Sequence, residues 1–276
     1  CVSSRYGWRT FAIEAALIAF AALFLFPIYV LVVQALKEPA ELAASPLGLP
    51  TRLYLGNFVE AWTSARIGPA LMSSTIVTGT SILLLVVLGS LGAYVLARQR
   101  PKVANLVLMF FVLGIILPFQ LALIPLYQLI KNLGLLGSYA AMILFHTGGL
   151  LPLAVFLFTG FLRNSTRSYE EAALIDGASH LQTYAHVVLP LLRPVTGTVV
   201  ILSAIIIWND FFTPLLYLSG SGRQTVPVAI YSFVGQYLSQ WELIFAGLII
   251  GSAPILLAFL FLQHSVIKGF ASGLKG

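Results

Sequence analysis

Long apolar runs separated by short polar segments dominate the chain. Six windows are long enough to cross roughly 30 Å of hydrocarbon, which takes about 20 helical residues. They are residues 15–33, 76–96, 103–130, 139–162, 195–218 and 243–266. Only the fifth holds an acid in its interior, Asp210. The first has Arg5 and Arg9 ahead of it and Val33-Gln34-Ala35 behind it, the outline of a secretory signal. Its apolar run is too long for one, so it reads as an uncleaved signal anchor. The pattern therefore predicts an all-α integral membrane protein with six transmembrane helices. Residues 1–69 would hold an amino-terminal tail, the first span and an external loop; residues 70–276 would hold the other five spans and a patterned loop at 168–194.

Composition supports this reading. Hydrophobic residues make up 59% of the chain, charged residues 9%, and mean hydropathy is +0.97, whereas a soluble domain carries about a quarter charged residues. The single cysteine, Cys1, has no internal disulfide partner, and no Cys/His spacing suggests a zinc site. His180 and His186 stand six apart without further ligands, so no metal site is expected. The net charge of +6 comes from basic residues scattered through the interspan segments rather than clustered with aromatics, which speaks against nucleic acid as a partner.

That scatter sets orientation, because Lys and Arg near a span resist translocation. The amino-terminal tail, residues 98–102, residues 163–193 and the tail from Ile267 hold ten basic residues, against five in the other three connections. Both termini and the 168–194 loop are thus expected in the cytoplasm. The longest external connection, residues 37–69, contains Pro39, Pro46, Gly48 and Pro50 and reads as loop, a candidate surface for an external partner.

The cytoplasmic loop is the most patterned segment outside the membrane. Ser168-x-x-Glu171 has capping-box spacing, so a short helix is expected from Tyr169, with Glu170 and Glu171 at the positive end of its dipole. Gly177 can take the left-handed conformation that ends a helix. Ser179-x-x-Gln182 offers a second capping box for a helix running toward Leu189-Pro190. Ala172 and Ala173 present small side chains for close approach of another protein, with Tyr169 and Ile175 as apolar contacts. The competing reading is an interfacial helix lying in lipid headgroups. Three acids and no base make a poor fit to anionic lipid.

Glu171-Ala172-Ala173, Asp176-Gly177-Ala178, Tyr184, Val187, Leu189-Pro190 and Pro194 stand at the spacings of the EAA motif. The chain resembles the permease subunits of binding-protein-dependent type I ABC importers, in which that loop docks on an ATPase. Ile124-Pro125-Leu126-Tyr127 with Gly134-Leu135, Trp208-Asn209-Asp210-Phe211, and the ending Lys268-Gly269-Phe270 through Gly276 are similar to the carbohydrate-uptake branch of the maltose permease pair. One departure is Thr166, where the family usually has proline. The resemblance implies a bacterial or archaeal inner-membrane, multi-pass subunit that pairs with a homologous permease around one translocation path. Two ATPase subunits would bind below, holding ATP and Mg, and an extracytoplasmic solute-binding protein would deliver a small-molecule solute. Glu171, Ala172, Ala173, Asp176 and Gly177 would then lie in the ATPase cleft. The chain lacks a Gly-x-x-x-x-Gly-Lys-Ser/Thr phosphate loop, so it is not expected to be an enzyme or to bind a cofactor itself.

A solute path has its own candidates. At 1.5 Å per residue from Val195, Asp210 lies roughly 22 Å into the fifth window, and ionisable groups at such depth face cavities or partners. Asn209 and Trp208 beside it suit a polyol. The alternative is that Pro214 ends the helix, Asp210 sits near the outer interface and Trp208 packs in the core. Pro118 and Pro125 should kink the third span, with Gln120 and Tyr127 as polar groups near the bend. His146 is expected to make a structural hydrogen bond, and Gly89, Ser90, Gly92 and Ala93 to let the second span pack closely. Two other classes compete with an ATPase-driven subunit. A secondary carrier or channel would show inverted repeats and several intramembrane charges; a membrane enzyme would show motifs such as His-Glu-x-x-His or Gly-x-Ser-x-Gly, both absent here.

Overall fold

The computed structural model describes residues 8–117, 119–234 and 240–273, and the side chains of these except residues 9, 119, 120, 262 and 264–273. Among them every regular element is helical: α1 Trp8–Ala35, α2 Pro39–Ala44, α3 Gly56–Ser64, α4 Ile67–Arg98, α5 Pro101–Ile116, α6 Leu123–Asn132, α7 Tyr139–Arg163, α8 Ser168–Ile175, α9 His180–Thr183, α10 Leu189–Leu191, α11 Arg193–Trp208, α12 Phe212–Tyr217, α13 Val226–Tyr231 and α14 Trp241–Gly273. The chain divides into two compact units, Cys1–Ile67 with Ala229–Ser252, and Gly68–Val228 with Ala253–Gly276.

Four helices are long and apolar enough to cross a membrane: Thr10–Ala35, Ile67–Arg98, Tyr139–Arg163 and Trp241–Phe261. A fifth span exists if His180–Leu191 and Arg193–Trp208, bent by 73°, count as one. The four coincide with the first, second, fourth and sixth apolar windows. The third window, expected to kink at its prolines, and the fifth, where an end of the helix at Pro214 was the alternative reading, are each broken.

Proline explains both breaks. In the third window α5 stops at Ile116, and Leu117 takes extended angles (φ −65°, ψ 127°), because the residue before a proline is driven out of the helical region. Pro118 itself lies outside the described residues. The chain resumes as a 3₁₀ turn at Phe119–Ala122 and then α6, whose first turn holds Pro125 where its missing N–H costs no helical bond. In the fifth window a continuous helix would need Pro214 to donate to the carbonyl of Asp210, and its ring would clash there. Accordingly α11 ends at Trp208, and a new helix, α12, starts at Phe212.

In the second unit α7 packs against α5, α11 and α12. Its contact with α4 runs over the expected small residues: a Cβ added at Gly89 would come 2.9 Å from that of Ala154, and one at Gly92 3.6 Å from Val155. Leu85, Met142, Phe158, Leu162, Val188 and Leu192 are fully buried there.

The first unit corrects the expectation of a loop at 37–69, since α2 and α3 fall inside it. Pro39 sits in the first turn of α2, where its fixed φ is already helical. The Asn57 amide donates to the carbonyls of Ala35 (2.9 Å) and Lys37 (2.7 Å), satisfying groups freed at the end of α1. The buried Lys37 ammonium donates to the Ser45 carbonyl.

Candidate coupling elbow and solute cavity

Between α7 and α11 the chain runs helix, turn, helix. The capping box expected at Ser168 does not form. Ser168 is already the first helical residue, and the carbonyl of Arg167 before it accepts from the N–H groups of Glu170 and Glu171, both at 3.0 Å. A different anchor holds this end. Arg167 Nη2 donates to the Ala97 carbonyl (3.1 Å). Glu170, 5% exposed, takes a two-pronged ion pair from Arg98 at the end of α4, with Nε to Oε2 at 2.7 Å and a second bond from Nη2 to Oε1. Bidentate guanidinium–carboxylate pairs fix direction as well as distance.

The far end of the elbow follows expectation. Gly177 has φ +89°; its N–H donates to Leu174 (3.1 Å) and that of Ala178 to Ala173 (3.0 Å), the two bonds of a Schellman ending. The Ser179 box is complete: Ser179 Oγ accepts from Gln182 N (3.3 Å) and Gln182 Oε1 from Ser179 N (2.8 Å). Past it, Pro190 cannot donate to the carbonyl of His186, and the helix widens into a π turn at Tyr184–Val188 in which Leu189 N–H reaches Tyr184. Tyr184 is tied to α4 by a 2.7 Å hydrogen bond between its hydroxyl and Ser90. Both halves of the elbow are therefore fastened to α4.

At 100° per residue, Ser168, Glu171, Ala172 and Ile175 lie on the side of α8 away from Glu170. Glu171, Ala172, Asp176 and Gly177 are exposed, Ala173 is half-buried, and Ile175 is 84% exposed. The sequence places Glu170 at the positive end of the α8 dipole but does not pair it with Arg98. They are 72 positions apart, and the only signals were a doubled acid in the first turn of α8 and a basic residue in the last turn of α4.

The break between α11 and α12 builds the second site. Asn209 ends α11 and its amide donates to the Ile205 carbonyl (2.8 Å). Asp210 Oδ1 accepts from Thr213 N (3.2 Å), capping α12, while Oδ2 lies 3.5 Å from His146 Nε2. These residues open on a cavity of about 550 Å³ whose walls include Gly114, Phe145, His146, Gly149, Asn209 and Asp210. Of the path residues expected from sequence, Asn209 and Asp210 come together there. Trp208 is buried and outside the lining. Tyr127 also stands apart, half-buried and stacked on Tyr217 with ring centroids 6.0 Å apart. The Gln120 side chain is outside the described residues. His146, expected to make a structural hydrogen bond, instead lines the cavity: its Nε2 has no hydrogen-bond partner and meets Asp210 only at ion-pair distance.

Comparison with known proteins follows the same lines. The family described as binding-protein-dependent transport system inner membrane component matches residues 85–271. The melibiose/raffinose/stachyose import permease protein MelC of Bacillus subtilis (strain 168) is 34% identical over 96% of this chain and 95% of its own. The probable starch degradation products transport system permease protein AmyC of Thermoanaerobacterium thermosulfurigenes is 33% identical over 93% of each. A crystal structure of a bacterial ABC transporter involved in the import of the acidic polysaccharide alginate superposes with a TM-score of 0.81 over 95% of this chain and 99% of that one, at 19% identity. That likeness establishes the ABC permease fold. The chain is a multi-pass transport permease rather than an enzyme, and it belongs to the family of binding-protein-dependent transport system inner membrane components.

Proposed function

We propose that this subunit forms half of the translocation path for a carbohydrate or related polyol, and that a separate ATPase drives it through the α8 elbow. The similarity to MelC and AmyC supports the solute class. Six spans would result if α5 through α6 and α11 through α12 each cross as a broken span, with both termini cytoplasmic. A homologous permease completes the path, two ATPase subunits hold ATP and Mg, and an extracytoplasmic binding protein supplies solute.

The observation that carries the coupling role is the two-sidedness of α8. Glu170 fastens one face to α4, while Glu171, Ala172 and Ile175 are left outward with Asp176 and Gly177 at the turn. Ala172 allows close approach on that outward face, and Glu171 offers a carboxylate at the helix start. When the ATPase dimer closes, it draws the elbow with it. The load passes through Glu170–Arg98 into α4 and through the Pro190 turn into α11, where the Asp210 cavity lies.

The test is uptake into proteoliposomes holding both permeases and the ATPase, with the binding protein outside and a panel of radiolabelled di- and trisaccharides. Accumulation is expected only with ATP inside. Accumulation driven by an ion gradient without ATPase would replace this reading with that of an independent carrier.

A further inference from the structure

We propose that the adjoining ends of α5 and α7 form a binding site for an anionic phospholipid, in which Arg100, Lys102 and Arg163 hold the headgroup phosphodiester and an acyl chain lies along Met109, Gly160 and Phe156. The site needs only that these helices end at a membrane surface, whatever the direction and energy source of transport.

Position puts the cations at headgroup depth. One span-length apolar helix ends at Arg98 and another at Arg163, and α5, which packs against α7, begins at Pro101. Long basic side chains at the ends of spans reach into the headgroup layer. A single bond brings the two helix ends together: Arg163 Nη2 donates to Asn105 Oδ1 at 2.9 Å on the surface, and Asn105 stands one turn along α5 from Lys102.

Charge is unbalanced there. The sequence holds no Asp or Glu between Glu60 and Glu170, and Glu170 is committed to Arg98. Among the described residues, Arg100, Lys102 and Arg163 are all exposed and none has a carboxylate within ion-pair distance. Arg163 meets a neutral amide through one nitrogen, which leaves the rest of its planar fork for phosphate oxygens.

Beside the cations runs a strip for hydrocarbon. At about 100° per residue, Lys102, Asn105 and Met109 share one side of α5, and Arg163, Gly160 and Phe156 share one side of α7. Met109 and Phe156 are exposed, and a Cβ added at Gly160 meets nothing within 4 Å, so a slot opens next to the guanidinium. The strip extends about 10 Å into the span, the rise from Arg163 to Phe156. Cations above an apolar strip match an amphiphile, whereas a water-soluble subunit meets the cations alone. Each Lys or Arg near the membrane surface favours lipids of net negative charge over zwitterionic ones.

The assembled transporter carrying Phe156→p-benzoylphenylalanine is placed in vesicles of three parts phosphatidylethanolamine to one part phosphatidylglycerol, with identical acyl chains, and its photo-adducts are identified by mass. The ratio of phosphatidylglycerol to phosphatidylethanolamine among the adducts is expected to exceed that of the vesicle by about fivefold. The same reporter at Leu83, exposed on α4, is expected to show the vesicle's own ratio. Arg163→Gln with Lys102→Gln is expected to bring the Phe156 ratio to within twofold of the vesicle, while Arg163→Lys with Lys102→Arg keeps most of the enrichment. High salt, which screens the cations without substituting them, is expected to lower the enrichment at least twofold. Adducts at the vesicle's ratio, equal enrichment at Leu83, enrichment indifferent to both salt and the Gln pair, an adduct with another subunit, or no adduct would each overturn the site.

Discussion

Gly177 concentrates the mechanics of the elbow in one backbone angle. Its φ of +89° brings the chain back on itself, and a Cβ added there meets nothing within 4 Å, so the demand is conformational rather than steric. Substitutions should therefore rank by tolerance of the left-handed region. Gly177→Asn should keep most ATP-driven uptake, and Gly177→Ala should destabilise the turn by about 1 kcal/mol. Gly177→Pro, which cannot take positive φ, should abolish uptake while the subunit still reaches the membrane. Uptake rates beside membrane-fraction blots check the series, and equal transport by all three would remove the turn from the mechanism. This residue was legible in sequence because its signal is local, a glycine two turns into a short helix. Glu170 was not, since nothing within a few positions of it announces Arg98. Ser168 misled for a related reason: its spacing to Glu171 fits a capping box, but the Arg167 contact to α4 draws the helix start one residue earlier.

Among elements, the Glu170–Arg98 pair ties α8 to α4, the connection that the proposed lever requires. Removing one member of a buried ion pair costs about 3–5 kcal/mol because the other is stranded. Arg98 is partly exposed, so Arg98→Ala should cost about 3 kcal/mol. Amide exchange over residues 168–177 should then quicken by about 100-fold, an opening free energy of that size, and the swap Arg98→Glu with Glu170→Arg should recover part of the protection. Unchanged exchange in Arg98→Ala would mean that other contacts hold α8. Hydropathy located every apolar window yet missed the two interruptions, because a window average is blind to which carbonyl a proline would strike. The prolines were visible, and Pro118 and Pro125 were read as bends. What sequence spacing did not resolve was that Pro214 acts four residues back, stopping α11 before Asp210 and turning that carboxylate into the cap of α12. The segment 37–69 showed its prolines too, but one of them starts a helix rather than preventing it.

In the second unit, α4 and α11 lie between the α8 elbow and the cavity at the α11–α12 break. The apolar windows, the basic asymmetry and the motif at 171–194 made the all-α membrane class and the family legible. The cavity was only half legible: Asn209 and Asp210 are neighbours in sequence, but His146 and Gly149 reach them from another helix through tertiary packing that no spacing rule reports. The central claim is that α8 is held by an ATPase in the cytoplasm. A photo-crosslinking side chain at Ala172, on the outward face, tests it most directly in intact cells. The expected product is an adduct with the ATPase subunit whose yield changes when ATP hydrolysis is blocked; adducts with lipid alone, or labelling of Ala172→Cys by a membrane-impermeant reagent added outside, would contradict it.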